Sequence, residues 1–173
     1  LASLLLMTGM SSFGQDIQDY KTYSIVLEEF LRQDGADKQL IIIHQESDTL
    51  FLGGDPGAPQ FMASLDSLMK RQIKFSNKFQ IKGWESIVIT HQEFRLLTVD
   101  ENGDWIDDAL YKKYPKAEGV IFLSPIYYTN KNKTTGLLQI EIRRTSLSAG
   151  CFLVKFDVKK KRKKIKRTLT EVA

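Results

Sequence analysis

The chain has 173 residues, of which 42% are hydrophobic and 27% charged, a composition that excludes intrinsic disorder and predicts one domain with a core of its own. Its formal charge of +4 is compatible with an anionic partner and requires none. The single cysteine, Cys151, excludes an intramolecular disulfide and builds no zinc site by itself; in the apolar run Ala149 to Val154 it reads as a small buried hydrophobe.

Residues Leu1 to Gly14 carry no charge. Leu4-Leu5-Leu6-Met7 is apolar, small and polar residues follow, and Ser12-Phe13-Gly14 sets small side chains at the −3 and −1 positions before Gln15. This pattern matches the back half of a secretory signal and is too short to span a bilayer. The reading is a signal-peptide remnant over 1–14, with a basic leader upstream of the first residue, and a single α+β domain over 15–173.

From Asp16 the pattern turns helical. Ile17, Tyr20, Ser24, Leu27 and Leu31 recur at steps of three and four, Val26 and Phe30 widen the stripe, Asp16 can cap the start and Gly35 the end. Gln39 to His44 reads as a strand buried on both faces, with Thr49 to Leu52 as its continuation. Gly53 to Pro59 is a loop, and Pro59 suits the first turn of a helix reaching about Lys70. Ile73 to Lys82, apolar at even intervals, reads as extended; Ser86 to Thr90 and Phe94 to Val99 read as strands. Asp100 to Asp104 is a turn, and Trp105 to Tyr114 a helix with Asp107 and Asp108 in its first turn and Lys112 and Lys113 in its last, matched to the helix dipole and stopped by Pro115.

Beyond Gly119 a strand meander is expected: Val120 to Tyr128, a polar turn over Asn130 to Gly136, Leu137 to Arg144, Gly150 to Val158, and Ile165 to Val172. Pro125 points to an edge or bulge in the first of these. Leu138, Ile140 and Ile142 alternate with Gln139, Glu141 and Arg143, giving one buried and one wet face. The fold class is therefore α+β, with N-terminal helices packed on a predominantly antiparallel sheet that ends in a C-terminal meander.

Trp105, Tyr111-Lys112-Lys113-Tyr114-Pro115, Gly119 to Ser124, Asn130 to Thr134 and Gly150 to Val154 together resemble small exported proteins of Bacteroidetes-type bacteria that have no assigned activity. The resemblance runs over Asp104 to Lys166, about a third of the chain, and the Ser-Phe-Gly ending before Gln15 is similar to signals of the same group. Such proteins are richer in glycine where this chain has Thr145 to Gly150. The resemblance implies export and an antiparallel C-terminal sheet, and supplies no catalytic residues.

The two histidines of the protein occur in a repeated tripeptide, His44-Gln45-Glu46 and His91-Gln92-Glu93, each after an apolar run. On a strand, residues two apart share a face, so two adjacent strands would present His44, Glu46, His91 and Glu93 together, a donor set suited to zinc or a similar divalent ion, or to acid–base chemistry. The plainer reading is that each triplet is the wet end of a buried strand. Asp100 to Asp104 resembles a calcium loop only superficially, because Trp105 and Tyr111 occupy the positions where an EF-hand needs Gly and Glu.

Lys159, Lys160, Lys161, Arg162, Lys163 and Lys164 form the densest charge run. Without these six cations the formal charge falls from +4 to −2, so the basic balance is local. The run reads as a solvated hairpin tip that guards a sheet edge, or as a docking patch for an anionic surface such as lipopolysaccharide, acidic glycan or phospholipid. No aromatic residue is interleaved for base stacking, which argues against nucleic acid. No phosphate-binding glycine loop, nucleophile elbow or Cys–His pair is present, and no cofactor is expected. These features favour a non-enzymatic exported binding or interaction module, with a small metal-dependent or acid–base enzyme using the two triplets as the alternative. Protein purified from its native host is expected to begin at or near Gln15; N-terminal sequencing that recovers intact Leu1 overturns the signal reading.

Overall fold

The computed structural model describes residues 17–37, 39–47, 73–102, 104, 106, 108–145, 148–158 and 164–172. The signal-like segment 1–14, the Asp16 cap, the expected strand, loop and helix over Thr49 to Lys70, Trp105 and Asp107, and Lys159 to Lys163 lie outside the described residues.

Helix α1 (Ile17–Asp34) buries Tyr23, Val26, Leu27, Phe30 and Leu31 completely, the face that the three-and-four spacing predicts. It ends as expected at Gly35, whose φ is +72°. The Ala36 N–H reaches back to the Leu31 carbonyl at 3.2 Å, a closing bond that requires a left-handed residue at Gly35.

Strand β1 (Leu40–His44) follows, then β2 (Glu85–Ile89), α2 (His91–Thr98), α3 (Asp108–Lys113) and β3 (Ala117–Leu123). The meander comprises β4 (Tyr127–Tyr128), β5 (Thr135–Thr145), β6 (Ser148–Asp157) and β7 (Lys164–Val172). All seven strands form one mixed sheet in the order β2-β1-β3-β5-β6-β7, with β4 also paired to β5. β1 pairs in parallel with β2 and with β3, and every later pairing is antiparallel. The α+β class and the C-terminal meander are as expected. The parallel part of the sheet is the departure: β2 and β3 are joined through the helices α2 and α3, and both run parallel to β1.

Two apolar layers flank the sheet. On one face Ile41, Ile43, Ile121, Leu123, Leu138, Ile140, Ile142, Val154 and Phe156 pack under α1. On the other, Ile42, Ile89, Val120 and Phe122 pack under Phe94 of α2 and Leu110 of α3. Ile41, Ile42 and Ile43 are all fully buried, each worth roughly 1.5–3 kcal/mol, so β1 is anchored from both sides. Among the described residues no helix is long and apolar enough to cross a membrane.

The segment expected as a strand over Phe94 to Val99 is helix α2. Thr90-His91-Gln92-Glu93 has the Thr-x-x-Glu spacing of a helix start, and Thr90 Oγ1 accepts from the Glu93 N–H at 3.1 Å. Phe94 and Thr98, four apart, face inward, while Leu96 is 71% exposed. The helix expected from Trp105 begins instead at Asp108. Upstream, Asp100 Oδ1 accepts from the N–H groups of Asn102 and Asp104, each at 2.9 Å, so this carboxylate closes a turn.

Ile73 to Lys82 is extended but makes only one bridge, Lys74 with Glu46. Phe75, Phe79 and Ile81 are buried against α1. Side chains supply the hydrogen bonds that a ladder would have supplied: Tyr20 Oη accepts from the Ser76 N–H and Ser24 Oγ from the Gln80 N–H, each at 2.9 Å.

The run expected over Val120 to Tyr128 is broken at Ser124-Pro125-Ile126, where Ser124 Oγ accepts from the Gln139 N–H at 2.9 Å. On β5 the alternation holds, with Leu138, Ile140 and Ile142 fully buried. Gln139, expected on the wet face, is only 4% exposed because its amide nitrogen packs against the sulfur of Cys151, itself buried.

Gly119 sits where β3 carries one residue more than β1 between Leu40 and Ile42. Its φ is +152°, and a Cβ there would lie 2.5 Å from the Arg143 carbonyl oxygen. Gly119→Ala is expected to cost roughly 1–3 kcal/mol in chemical denaturation. A loss within about 0.5 kcal/mol, typical of a neutral surface change, would show that the bulge has room to relax.

Candidate functional site

Parallel pairing of β1 and β2 brings the two histidines together. His44 ends β1 on the same face as Ile42 and stands opposite Ile89, the last residue of β2. One residue later Thr90 caps α2, and His91 is its first residue. His91 Nδ1 lies 3.3 Å from His44 Nε2, and the rings meet edge to face at 5.4 Å and 88°.

His44 is 4% exposed. It stacks on Phe122 at 4.8 Å and 28° and meets the edge of Phe94 at 5.3 Å. Its Nδ1 lies 3.1 Å from the Glu46 carbonyl oxygen. A carbonyl only accepts, so Nδ1 carries a proton, and in the neutral ring Nε2 then presents a lone pair. His91 Nδ1 is then the donor in the histidine contact, which leaves His91 Nε2 unprotonated in the neutral ring. His91 itself is exposed. The pair is thus a chain of N–H groups running from the Glu46 carbonyl to the surface, at the carboxyl ends of parallel strands, where open α/β sheets place their ligands.

The expected quartet does not assemble. Successive residues of a helix are about 100° apart, so Glu93 turns away from His91, and its Oε1 accepts from Lys113 Nζ at 2.7 Å and Tyr114 Oη at 2.9 Å. Glu46 lies beyond the end of β1, with its carboxylate 3.9 Å from Lys74 Nζ. Among the described residues no group of three or more His, Cys, Asp or Glu side chains is placed to hold a metal ion. The second triplet is helical and not extended, so the two triplets share no strand face, and of the four side chains only the two histidines come together.

Phe94 and Phe122, which wall the buried imidazole, and Thr90, which positions His91, are the contributors that the motif does not display. Phe122 also carries the Arg143 guanidinium over its ring, 4.8 Å from the ring centre. Of these, Thr90 has a sequence signal in its spacing from Glu93. The pairing of Phe122 with His44 depends on strand order, which no local pattern contains.

Of the basic run, Lys164 opens β7 opposite Asp157. On the same hairpin Lys155 stands directly opposite Lys166, and both are exposed. A scan of protein-family models, of curated proteins and of solved structures finds no match to this chain.

The hydrogen bond from Lys113 is the main cause holding the Glu93 carboxyl below its ordinary value of 4.5; partial burial opposes it and the Tyr114 hydroxyl adds to it. A carboxyl depressed in the folded state contributes stability that is present above the unfolded value and is lost as the pH falls through the folded one. The α2–α3 contact is therefore expected to weaken below about pH 4.5, and Glu93→Gln to flatten the acid limb of a Tm-against-pH curve while leaving the limb above pH 6 parallel to the parent's. An unchanged acid limb would remove Glu93 from this role.

Proposed function

We propose that this chain is an exported, non-enzymatic binding module that meets an anionic surface in the periplasm or at the cell surface through the β6–β7 hairpin. The observation that carries the reading is the charge layout. Six consecutive cations link two paired strands at one side of the sheet, and the rest of the chain sums to −2. Lys155 and Lys166 face each other across the same hairpin, an arrangement of like charges that costs stability and that a polyanion relieves. Each lysine or arginine near an anionic bilayer contributes about 1 kcal/mol, so six give reversible, salt-sensitive attachment.

Export is supported by the uncharged apolar and small-residue segment over Leu1 to Gly14 and by the resemblance over Asp104 to Lys166. That address also argues against nucleic acid. Lipopolysaccharide, phospholipid and acidic glycan share the required chemistry. A second reading, a small metal-dependent or acid–base enzyme, draws on the 3.3 Å contact between His44 and His91.

Vesicles containing anionic phospholipid are expected to retain the protein at low salt and release it at high salt. Changing Lys160, Lys161, Lys163 and Lys164 together to Gln is expected to reduce retention at least about tenfold, the loss of a few kcal/mol of screened attraction. Binding that ignores both salt and the substitutions rules out the docking reading.

A further inference from the structure

The contact between the two histidines has the dimensions of one edge of a metal site. Zinc holds imidazole nitrogens at about 2.0–2.1 Å in tetrahedral geometry, so two nitrogens on one ion stand about 3.3–3.4 Å apart. His44 Nε2 and His91 Nδ1 are separated by 3.3 Å. His44 is further arranged as a ligand: its other nitrogen donates to the Glu46 carbonyl, the outer contact that fixes tautomer and ring direction in metal-bound histidines, and Phe122 and Phe94 hold the ring against rotation. His91, at the start of α2, is exposed, which gives an ion a route of entry.

We infer that His44 Nε2 and His91 Nδ1 chelate one zinc ion, with water or an external ligand in the two remaining positions. His44 needs no change, because Nε2 already presents its lone pair. His91 must free Nδ1: that proton leaves to solvent and another is taken up from solvent at Nε2, so the ring stays neutral and no net proton is released. The ion replaces the hydrogen bond between the rings. With two protein ligands the site is open and exchangeable, unlike a closed structural zinc site with four. Neither Glu93, engaged by Lys113 and Tyr114, nor Glu46 is a ligand. The inference deepens the histidine-pair reading and needs no catalysis, so zinc bound without turnover leaves it standing and removes only the enzyme.

Calorimetric titration of the chelator-stripped full chain with zinc chloride is expected to give one saturable site per chain. His91→Ala, which alters an exposed residue, is expected to weaken that site more than about tenfold, at least the loss that follows from removing a supporting contact to a metal ligand. Glu93→Gln and the four-lysine variant are expected to bind within about twofold of the parent, well inside that margin. Nitrogen-15 spectra of the histidine rings are expected to show His91 passing from an Nδ1–H to an Nε2–H tautomer as zinc is added, while His44 keeps its proton on Nδ1. Absence of a saturable site overturns the inference. So does affinity that survives His91→Ala, loss of affinity with Glu93→Gln, or a His91 tautomer that zinc does not move.

Discussion

Burial of β1 on both faces is the constraint on which the other elements depend. Three consecutive isoleucines, Ile41 to Ile43, are fully buried, which no two-layer arrangement with one solvent-facing side allows. A strand of this kind needs a cover on each side. Helix α1 supplies one and the α2–α3 pair the other. β2 and β3 lie on opposite sides of β1; Phe75, Phe79 and Ile81, which precede β2, pack with α1, whereas α2 and α3, which join β2 to β3, cover the other face, as right-handed parallel connections require. The layer order therefore follows from a five-residue strand and its two neighbours.

Arg144 ties these layers at the opposite end from the histidines. It reaches Asp34 at the end of α1 and Glu118 on β3, and its own carbonyl accepts from Tyr111 of α3. Although burial alone lowers its affinity for a proton, the two carboxylates reverse the sign and raise it above its ordinary value. One residue on β5, through its side chain and its carbonyl, thus joins a helix from each face to the sheet.

Legibility in the sequence divides along the line between local and non-local information. The α1 stripe, its Gly35 stop and the Leu138, Ile140, Ile142 alternation are local patterns with one solution each, and the structure has them. The run Phe94 to Val99 was readable in two ways: its apolar residues suit a short strand, and the decision lay in Thr90 and Glu93, which flank the start and cap a helix. Gln139 sits on a formally wet face yet is buried, because its surroundings include the interruption at Ser124 and the sulfur of Cys151. No pattern within β5 contains that information. For the candidate site, the repeated triplet marked the two histidines that meet. Its implied carboxylate partners were wrong, because spacing of two means the same face on a strand and opposite faces on a helix.

That divergence between identical tripeptides is also what gives the site its chemistry. Had both lain on strands, two carboxylates would have joined two imidazoles in a charged, solvated cluster. The cap at Thr90 instead rotates Glu93 into the α2–α3 contact, where it serves stability, and leaves two imidazoles meeting at the end of a hydrophobic layer. Phe122 and Phe94 dehydrate one ring and solvent wets the other, so the two nitrogens are unequal even though the residues are the same. The inner ring has one tautomer open to it, imposed by the Glu46 carbonyl. The outer ring is the adjustable partner, and any proton or cation arriving from solvent meets His91 first. The asymmetry follows from the difference between a strand end and a helix start at two adjacent positions in space, separated by 47 residues in sequence.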